Sequence, residues 1–491
     1  MGENKVYYKL NENVLFRKYN SYGYLTDNSL FGYKTKKSDS WFPGEKYLSE
    51  SAAVMIEVLE KKPLEIDEIV DKLLKIFIDV TRGELKNDVI CFYNELVDDG
   101  FLSKGETVNE CELKTKKLNT STNKKNTAKS IVENCTGDMF KQSDFLRSIH
   151  IEIASECNER CVHCYIPHKF KLNCIDSDLF NKIIDEGKQL NIINVVLSGG
   201  EPLLHKDIIK LLEKCRKSDL SVNLLTNLTL LTDEIFAEMI RNPLLSVQTS
   251  IYSMDPLVHD SITKVKGSFL KTMRSLKKVY DAGIPIQISC PVMKQNLQTF
   301  YDVVQWGEEK GITVATEFVI FGMYDHSNCN LNNRLSLTEI EKAFEMNLTS
   351  ECAKSYLEVA KEKECLTSND SVCSICKYNF CVSAEGYVYP CVGWNNNVVG
   401  DLNQQTIYEI WTKSKEVRRL RNIKMDSFSR CLECNDRGYC TICMMLNSNE
   451  NSDGNEFNIN DFHCKVAKIK HDKVKDYIKN MKIKNVGGKN I

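Results

Sequence analysis

Between residues 146 and 321 a short run of β-branched and apolar residues recurs six times. The runs are "RSIHIEIASEC", "INVVLSGG", "LSVNLLTN", "LSVQTSIYS", "IPIQISCPV" and "TVATEFVIF", with helical stretches such as "DLFNKIIDEGKQL" between most of them. Strands joined through helices run parallel, because a tight hairpin can only reverse the chain. The pattern therefore predicts an α/β fold with about six βα units, a partial (βα)6 TIM-like barrel over residues 143–345. Loops that follow parallel strands share one face, where chemistry collects. Two of them stand out: "SECNERCVHCY" after the first strand and "SGGEP" after the second.

The first loop places Cys157, Cys161 and Cys164 in the spacing C-x-x-x-C-x-x-C. Structural zinc sites and closed iron–sulfur clusters take four protein ligands. Three thiolates on a cubane leave one iron open. The chain holds 21 cysteines among 491 residues, yet "MGENKVYYKL" at its start lacks the apolar core of a signal peptide. A cytoplasmic setting is expected, where clustered cysteines are metal ligands or redox groups rather than disulfides. Net charge is −2 and no apolar run approaches a membrane span, so neither nucleic acid nor membrane is an expected partner.

Residues 1–105 read as a separate small domain. "NVLFRKYNSYGYLTD" suggests a hairpin turning near Asn20–Gly23. Helices are expected after Ser49 (Val54, Met55, Val58, Leu59), after Pro63 (Ile69, Leu73, Ile76) and across Leu85, Val89, Phe92 and Leu96, the last stopping near Gly100. This order suggests a winged-helix-like module. Its 15 basic and 18 acidic residues argue against DNA and leave peptide capture at a strand edge as its use. Residues 106–142, including "KTKKLNTSTNKKNTAKS", read as a flexible linker.

With these residues in view, "CNERCVHC" resembles the signature of radical S-adenosylmethionine (SAM) enzymes. The resemblance implies a 4Fe–4S cluster on Cys157, Cys161 and Cys164, with SAM chelating the open iron. Gly199, Gly200 and Glu201 look like the family's GGEP motif: the glycines would let backbone approach the SAM methionine, and Glu201 would accept from its amino group. His163 would lie beside the cluster, and Asn227 and Ser250 would contact SAM. A strand-end hydrogen bond is the plain alternative for Asn227 and Ser250. "HDSITKVKGSF" looks like the segment after the fourth strand in such enzymes, with His259 read as structural.

Further on, "CSICKYNFCVSAEGYVYPC" and "CLECNDRGYCTIC" are similar to the SPASM domain, which implies two auxiliary 4Fe–4S clusters within residues 346–470. One would use Cys376, Cys391 and Cys443, with Cys373 as fourth ligand, Cys381 as its alternative, or an open iron. The other would use Cys431, Cys434, Cys440 and Cys464. Two residues separate Cys440 from Cys443 where the family usually has three, and a zinc knuckle is the alternative. "TIYEIWTKSKEVRRLRN" reads as one amphipathic packing helix, and the Lys-rich stretch after Cys464, with residues 471–491 as a basic tail, as a solvated helix.

The N-terminal module is similar to the peptide-recognition element related to the PQQ-biosynthesis chaperone. The whole then implies a maturase of a ribosomally made precursor peptide. Such an enzyme forms thioether crosslinks from a substrate cysteine, driven by a 5′-deoxyadenosyl radical and fed by a flavodoxin- or ferredoxin-type electron donor. Carbon–carbon crosslinking, epimerisation and sulfatase-type maturation are the enzymatic alternatives, and a metal-dependent winged-helix regulator the non-enzymatic one.

Overall fold

The computed structural model describes residues 5–19, 22–27, 44–59, 61–117, 145–167, 169 and 173–487. Six strands, β7 (Ser148–Ala154), β8 (Asn194–Gly199), β9 (Ser221–Leu225), β10 (Leu245–Ser250), β11 (Ile286–Pro291) and β12 (Thr313–Glu317), lie side by side in chain order and pair in parallel. In-register neighbours explain the alternation in the sequence. Ile149, Val195 and Val222 form one row and Ile151, Leu197, Leu224, Val247 and Ile286 another. These rows are buried against Phe180, Ile183, Leu211, Leu212 and Leu276 of the intervening helices. Each such side chain contributes about 1.5–3 kcal/mol when fully buried. The opposite face carries polar side chains that bond across the strands: Ser148 to Asn194 at 2.8 Å, Asn194 to Asn223 at 3.3 Å, and Ser246 to Asn223 at 3.1 Å.

The sheet does not stop at the six strands. β13 (Asn379–Val382) pairs in parallel with β7, and β14 (Tyr387–Tyr389) and β15 (Gly400–Asp401) follow antiparallel, giving nine strands. The cysteine-rich region is thus stitched to the first strand of the core, where the sequence suggests a separate domain from residue 346. A second boundary also shifts. The Lys-rich stretch after Cys464 is helical as expected, but one helix spans Asp461–Gly487 and so crosses the boundary drawn at 471. The single helix expected after Thr406 is two, Ile407–Lys413 and Lys415–Arg421, because the Ser414 side chain accepts from Val417 N–H and starts a new one.

The N-terminal region forms two three-stranded sheets. One orders β5 (Leu64–Glu65), β1 (Tyr7–Leu10) and β6 (Leu102–Gly105); the other orders β2 (Leu15–Lys18), β3 (Gly23–Thr26) and β4 (Glu45–Leu48). Helices Glu50–Glu57, Ile66–Leu73 and Arg82–Asp98 share their core. Ser49 caps the first, and Thr81 with Glu84 forms a capping box on the third. Two expected core residues differ: Ile76 lies beyond its helix and is exposed, and Tyr93 rather than Phe92 is buried. Within the expected linker, Val108–Lys117 is a helix that tucks the Cys111 thiol onto the Ser103 carbonyl at 3.4 Å; residues 118–142 lie outside the described residues, as do Asn20 and Ser21 of the expected hairpin turn.

This module docks at one end of the parallel sheet. Leu15 and Tyr24 pack with Ile193 and Leu244. Arg17 donates to the Ile192 carbonyl at 3.1 Å, to the Asp219 carboxylate at 3.2 Å and to the Asp219 carbonyl, while Lys61 also pairs with Asp219. Ile192, Asp219 and Leu244 lie within two residues before the starts of β8, β9 and β10, so the contact lies at the end opposite the cysteine loop. Arg17→Ala is expected to weaken this junction by about 1.5–3 kcal/mol, the range for hydrogen bonds to charged groups. Amide exchange should quicken at residues 191–194 and in β2–β3, while the helix Arg82–Asp98 keeps its protection.

Candidate active site

At the C-terminal end of β8 the chain turns under the cysteine loop with no room to spare. Gly199 has φ +122°, and a Cβ there would lie 2.0 Å from the Ala154 carbonyl oxygen; at Gly200 it would lie 2.2 Å from that of Glu156. The backbone bonds that replace side chains are Gly200 N–H to Ala154 O at 2.6 Å and Glu201 N–H to Glu156 O at 2.8 Å. These glycines therefore serve first to fasten the start of the cysteine loop to the neighbouring strand.

Glu201 is wholly buried. It accepts from Leu203 N–H at 3.0 Å, the Thr226 hydroxyl at 2.5 Å and Asn227 N–H at 2.7 Å. A carboxylate offers about four acceptor positions, so one remains. Asn227 donates its amide to Asn158 in the cysteine loop at 2.9 Å and accepts from the Thr229 hydroxyl at 2.7 Å; Asn158 donates to that hydroxyl at 2.7 Å. Glu201 and Asn227, two of the residues expected to contact SAM, thus also hold the loop. Ser250 ends β10 beside Tyr252, whose phenol donates to the Cys161 sulfur at 3.8 Å. The His163 ring lies 5.1 Å from that of Tyr252.

The far side of the loop rests on the segment after β10. Arg160 N–H donates to Thr263 O at 2.9 Å, Val162 N–H to Ile262 O at 3.0 Å, and Ser268 to the buried Glu159 carboxylate. His259 accepts from Tyr252 N–H at 3.3 Å, and burial pushes its imidazole down to about 4, which keeps it neutral. Glu159, Tyr252 and Ser268 were not legible as site residues. The available signals are positional: Glu159 lies between two of the cysteines, Tyr252 in "LSVQTSIYS" and Ser268 in "HDSITKVKGSF".

The thiols fall into three groups. Burial raises Cys161, and Glu159, Cys164 and Cys157 raise it further. Burial pushes Cys376 up to about 12, with Cys391 and Cys373 adding to it; Cys391 likewise sits near 12, beside Cys443 and Cys373. Cys440 is pushed to about 11 by burial and then by Cys464, Cys431 and Cys434. Cys440 and Cys443, close in sequence, thus turn to different groups. Cys381 stays inside β13, fully buried. Among the described residues no three His, Cys, Asp or Glu side chains converge as one metal ion requires. A single zinc would draw its sulfurs to about 2.3 Å, whereas a cluster spreads its ligands over several irons. A cavity of about 350 Å³ lined by Cys373, Cys443, Cys431, Cys434, Cys440 and Cys464 has room for such groups. Crowded buried thiols fit a cationic iron centre, which stabilises the thiolate form.

Gly200→Ala should cost about 1–3 kcal/mol through overpacking, read by denaturant unfolding. Burial pushes Glu201 from 4.5 to about 7. An acid raised in the folded state keeps its proton there longer than in the unfolded chain. Its contribution to stability therefore falls as pH rises from 4.5 to about 7 and is level above that. Glu201→Gln should lower stability overall yet reduce that slope in a pH series.

Family models match three segments: Coenzyme PQQ synthesis protein D (PqqD) at residues 42–102, the Radical SAM superfamily at 151–307, and the SPASM iron-sulfur cluster-binding domain at 373–435. The AdoMet-dependent heme synthase of Methanosarcina barkeri is 25% identical over 329 residues, 62% of this chain and 93% of its own. The PqqA peptide cyclase of Rhodopseudomonas palustris is 21% identical over 294 residues, 56% of this chain and 75% of its own. The crystal structure of Streptococcus suis SuiB bound to the precursor peptide SuiA shares the fold, with a TM-score of 0.57 at 14% identity over 92% of this chain and 99% of that one. With its 4Fe–4S and SAM chemistry implied by these domains, the chain is a radical SAM enzyme with a SPASM domain and a PqqD-like N-terminal element.

Proposed function

We propose that this enzyme modifies a ribosomally made precursor peptide, joining a substrate cysteine sulfur to a carbon of another residue as a thioether. The observation that carries the reading is the β7–β13 pairing. It brings the strand that ends in the cysteine loop beside the strand that leads to Cys391. A substrate lying there meets both a radical site and an auxiliary site. The PqqD match and the peptide named with both SuiB and the R. palustris cyclase support a peptide as that substrate.

In this reading the six parallel strands are an open (βα)6 barrel, and the N-terminal element is a winged-helix-like module that holds the leader of the precursor. Cys157, Cys161 and Cys164 would hold the cluster that binds SAM, and the two further sets the auxiliary clusters. Held there, cluster and SAM would supply radical chemistry able to remove a hydrogen atom from an unactivated carbon. The chain's own part is to orient and exclude water. Glu201, Asn227 and Asn158 fix the loop, Glu159 and Tyr252 hold Cys161, and Gly199 and Gly200 keep the floor closed. Cys373 lies with Cys376, Cys391 and Cys443, which favours a closed first auxiliary set that accepts an electron over one that ligates the substrate thiolate. No helix among the described residues is long and apolar enough to cross a membrane; we place the enzyme in the cytoplasm, served by a low-potential flavodoxin- or ferredoxin-type donor.

Cluster-loaded protein given SAM and dithionite without oxygen should release 5′-deoxyadenosine, and Cys161→Ala should abolish that release while keeping the auxiliary iron. Given a cysteine-containing peptide encoded beside the gene, a crosslink removes two hydrogens by mass, whereas epimerisation leaves mass unchanged. Deleting residues 1–105 should weaken binding of that peptide at least tenfold and spare 5′-deoxyadenosine release; unchanged affinity would refute the recognition role.

A further inference from the structure

Between the cysteine loop and the β13–β14 hairpin lies a cavity of about 550 Å³. Its walls include Ile166, Tyr324, Tyr387 and Tyr389, and Glu152 sits among them. Aromatic walls that also carry polar groups, with Asp325, His326, Glu385 and Asn396 beside the buried Glu152, suit an amino-acid side chain better than an ion. We propose that this cavity receives the reacting cysteine of the peptide, and that Glu152 contacts its thiol and takes up the proton it releases. This rests on the crosslinking reading above.

The position of Glu152 carries the inference. It is on β7, two residues before the strand ends, on the face opposite Ile151 and Ile153, and it is 5% exposed. Tyr165, the residue after Cys164, donates to one carboxylate oxygen at 3.4 Å. Asn395, four residues after Cys391, donates to the other at 3.2 Å. One carboxylate is thus held by neighbours of the radical loop and of the auxiliary set together. Cys381, Glu385 and Tyr389 face it from the hairpin, and Tyr324 with Asp325 from the segment after β12. Lys169 at the rim is engaged with Asp325 at 2.9 Å. Burial outweighs the two donors and brings the Glu152 carboxyl up to about 7, so it can both accept and return a proton near neutrality.

A hydrogen atom leaves the substrate carbon for the deoxyadenosyl radical. The sulfur–hydrogen bond of the partner cysteine breaks and its proton passes to the Glu152 carboxylate. The carbon–sulfur bond forms, and the one remaining electron passes to an oxidised iron–sulfur cluster at the auxiliary cysteines.

Two measurements test this. A stabilised aryl diazoacetamide esterifies protonated carboxyls; applied to the full chain at pH 6, it should label Glu152 by peptide mapping, fade as pH rises through about 7, and leave Glu152→Gln unlabelled at that position. No ester on Glu152 at pH 6 overturns the accessible, protonated carboxyl. In the loaded enzyme with the synthetic cysteine-containing peptide, crosslinked product per 5′-deoxyadenosine should fall about a hundredfold in Glu152→Gln, as expected for loss of a proton acceptor, with Glu152→Asp between. A purely structural strut would leave that ratio unchanged, and an unchanged ratio overturns the role. If wild-type protein releases 5′-deoxyadenosine but never crosslinks the peptide, the crosslinking reading fails instead; if it releases none, the radical reading does.

Discussion

The backbone closure at Gly199–Gly200 is the constraint on which the site depends. Two chain segments approach until only hydrogen atoms fit between them, and the contact is sealed by two short backbone bonds to Ala154 and Glu156. Glu201 follows at once and is buried by that closure, which turns its carboxylate onto Thr226 and Asn227. Asn227 in turn reaches Asn158. A chain of contacts thus runs from β8 through β9 back into the cysteine loop, so the three cysteines are held by backbone and buried hydrogen bonds. Pre-set ligands lose little freedom on binding a cofactor, which is the usual route to a well-aimed reactive group.

β7 then couples two chemistries. On one side it pairs with β8 and leads into the cysteine loop; on the other it pairs with β13, from which the chain passes through β14 to Cys391. Sheet hydrogen bonds make this a rigid junction rather than a tethered pair of domains. Glu152 belongs to the same strand, and its two partners come one from each side. The N-terminal module is fixed at the other end of the sheet through Arg17 and Asp219. A peptide held by that module must therefore run the length of the strands to reach the cysteine loop.

Much of the core was readable because its causes are local. Alternating Ile149, Ile151 and Ile153 announce a strand with one apolar face, and Ser49 announces a helix start. The GGEP glycines predict a close cofactor approach, and in the fold they also permit packing against Ala154 and Glu156. The addition of β13 to the core sheet was hidden, since "NFCV" carries no sign of its partner more than two hundred residues earlier. The split at Ser414 is hidden for the ordinary reason that apolar periodicity does not record where a cap interrupts it, whereas the lysine-rich stretch after Cys464 is helical as its sequence predicts.

By itself, the sequence determined which residues could make a cluster and which ran as strands, because ligand spacing and side-chain period act over a few residues. Only the tertiary structure decided how distant groups meet. It separated Cys443 from Cys440, set Cys373 beside Cys376 and Cys391, and left Cys381 within a strand. It also placed Glu152 between the two cysteine regions, a position no local pattern marks. The physical reason is that burial and close contact are properties of the packed chain: a thiol or carboxyl acquires its neighbours, and with them its chemistry, only when strands far apart in sequence share a sheet.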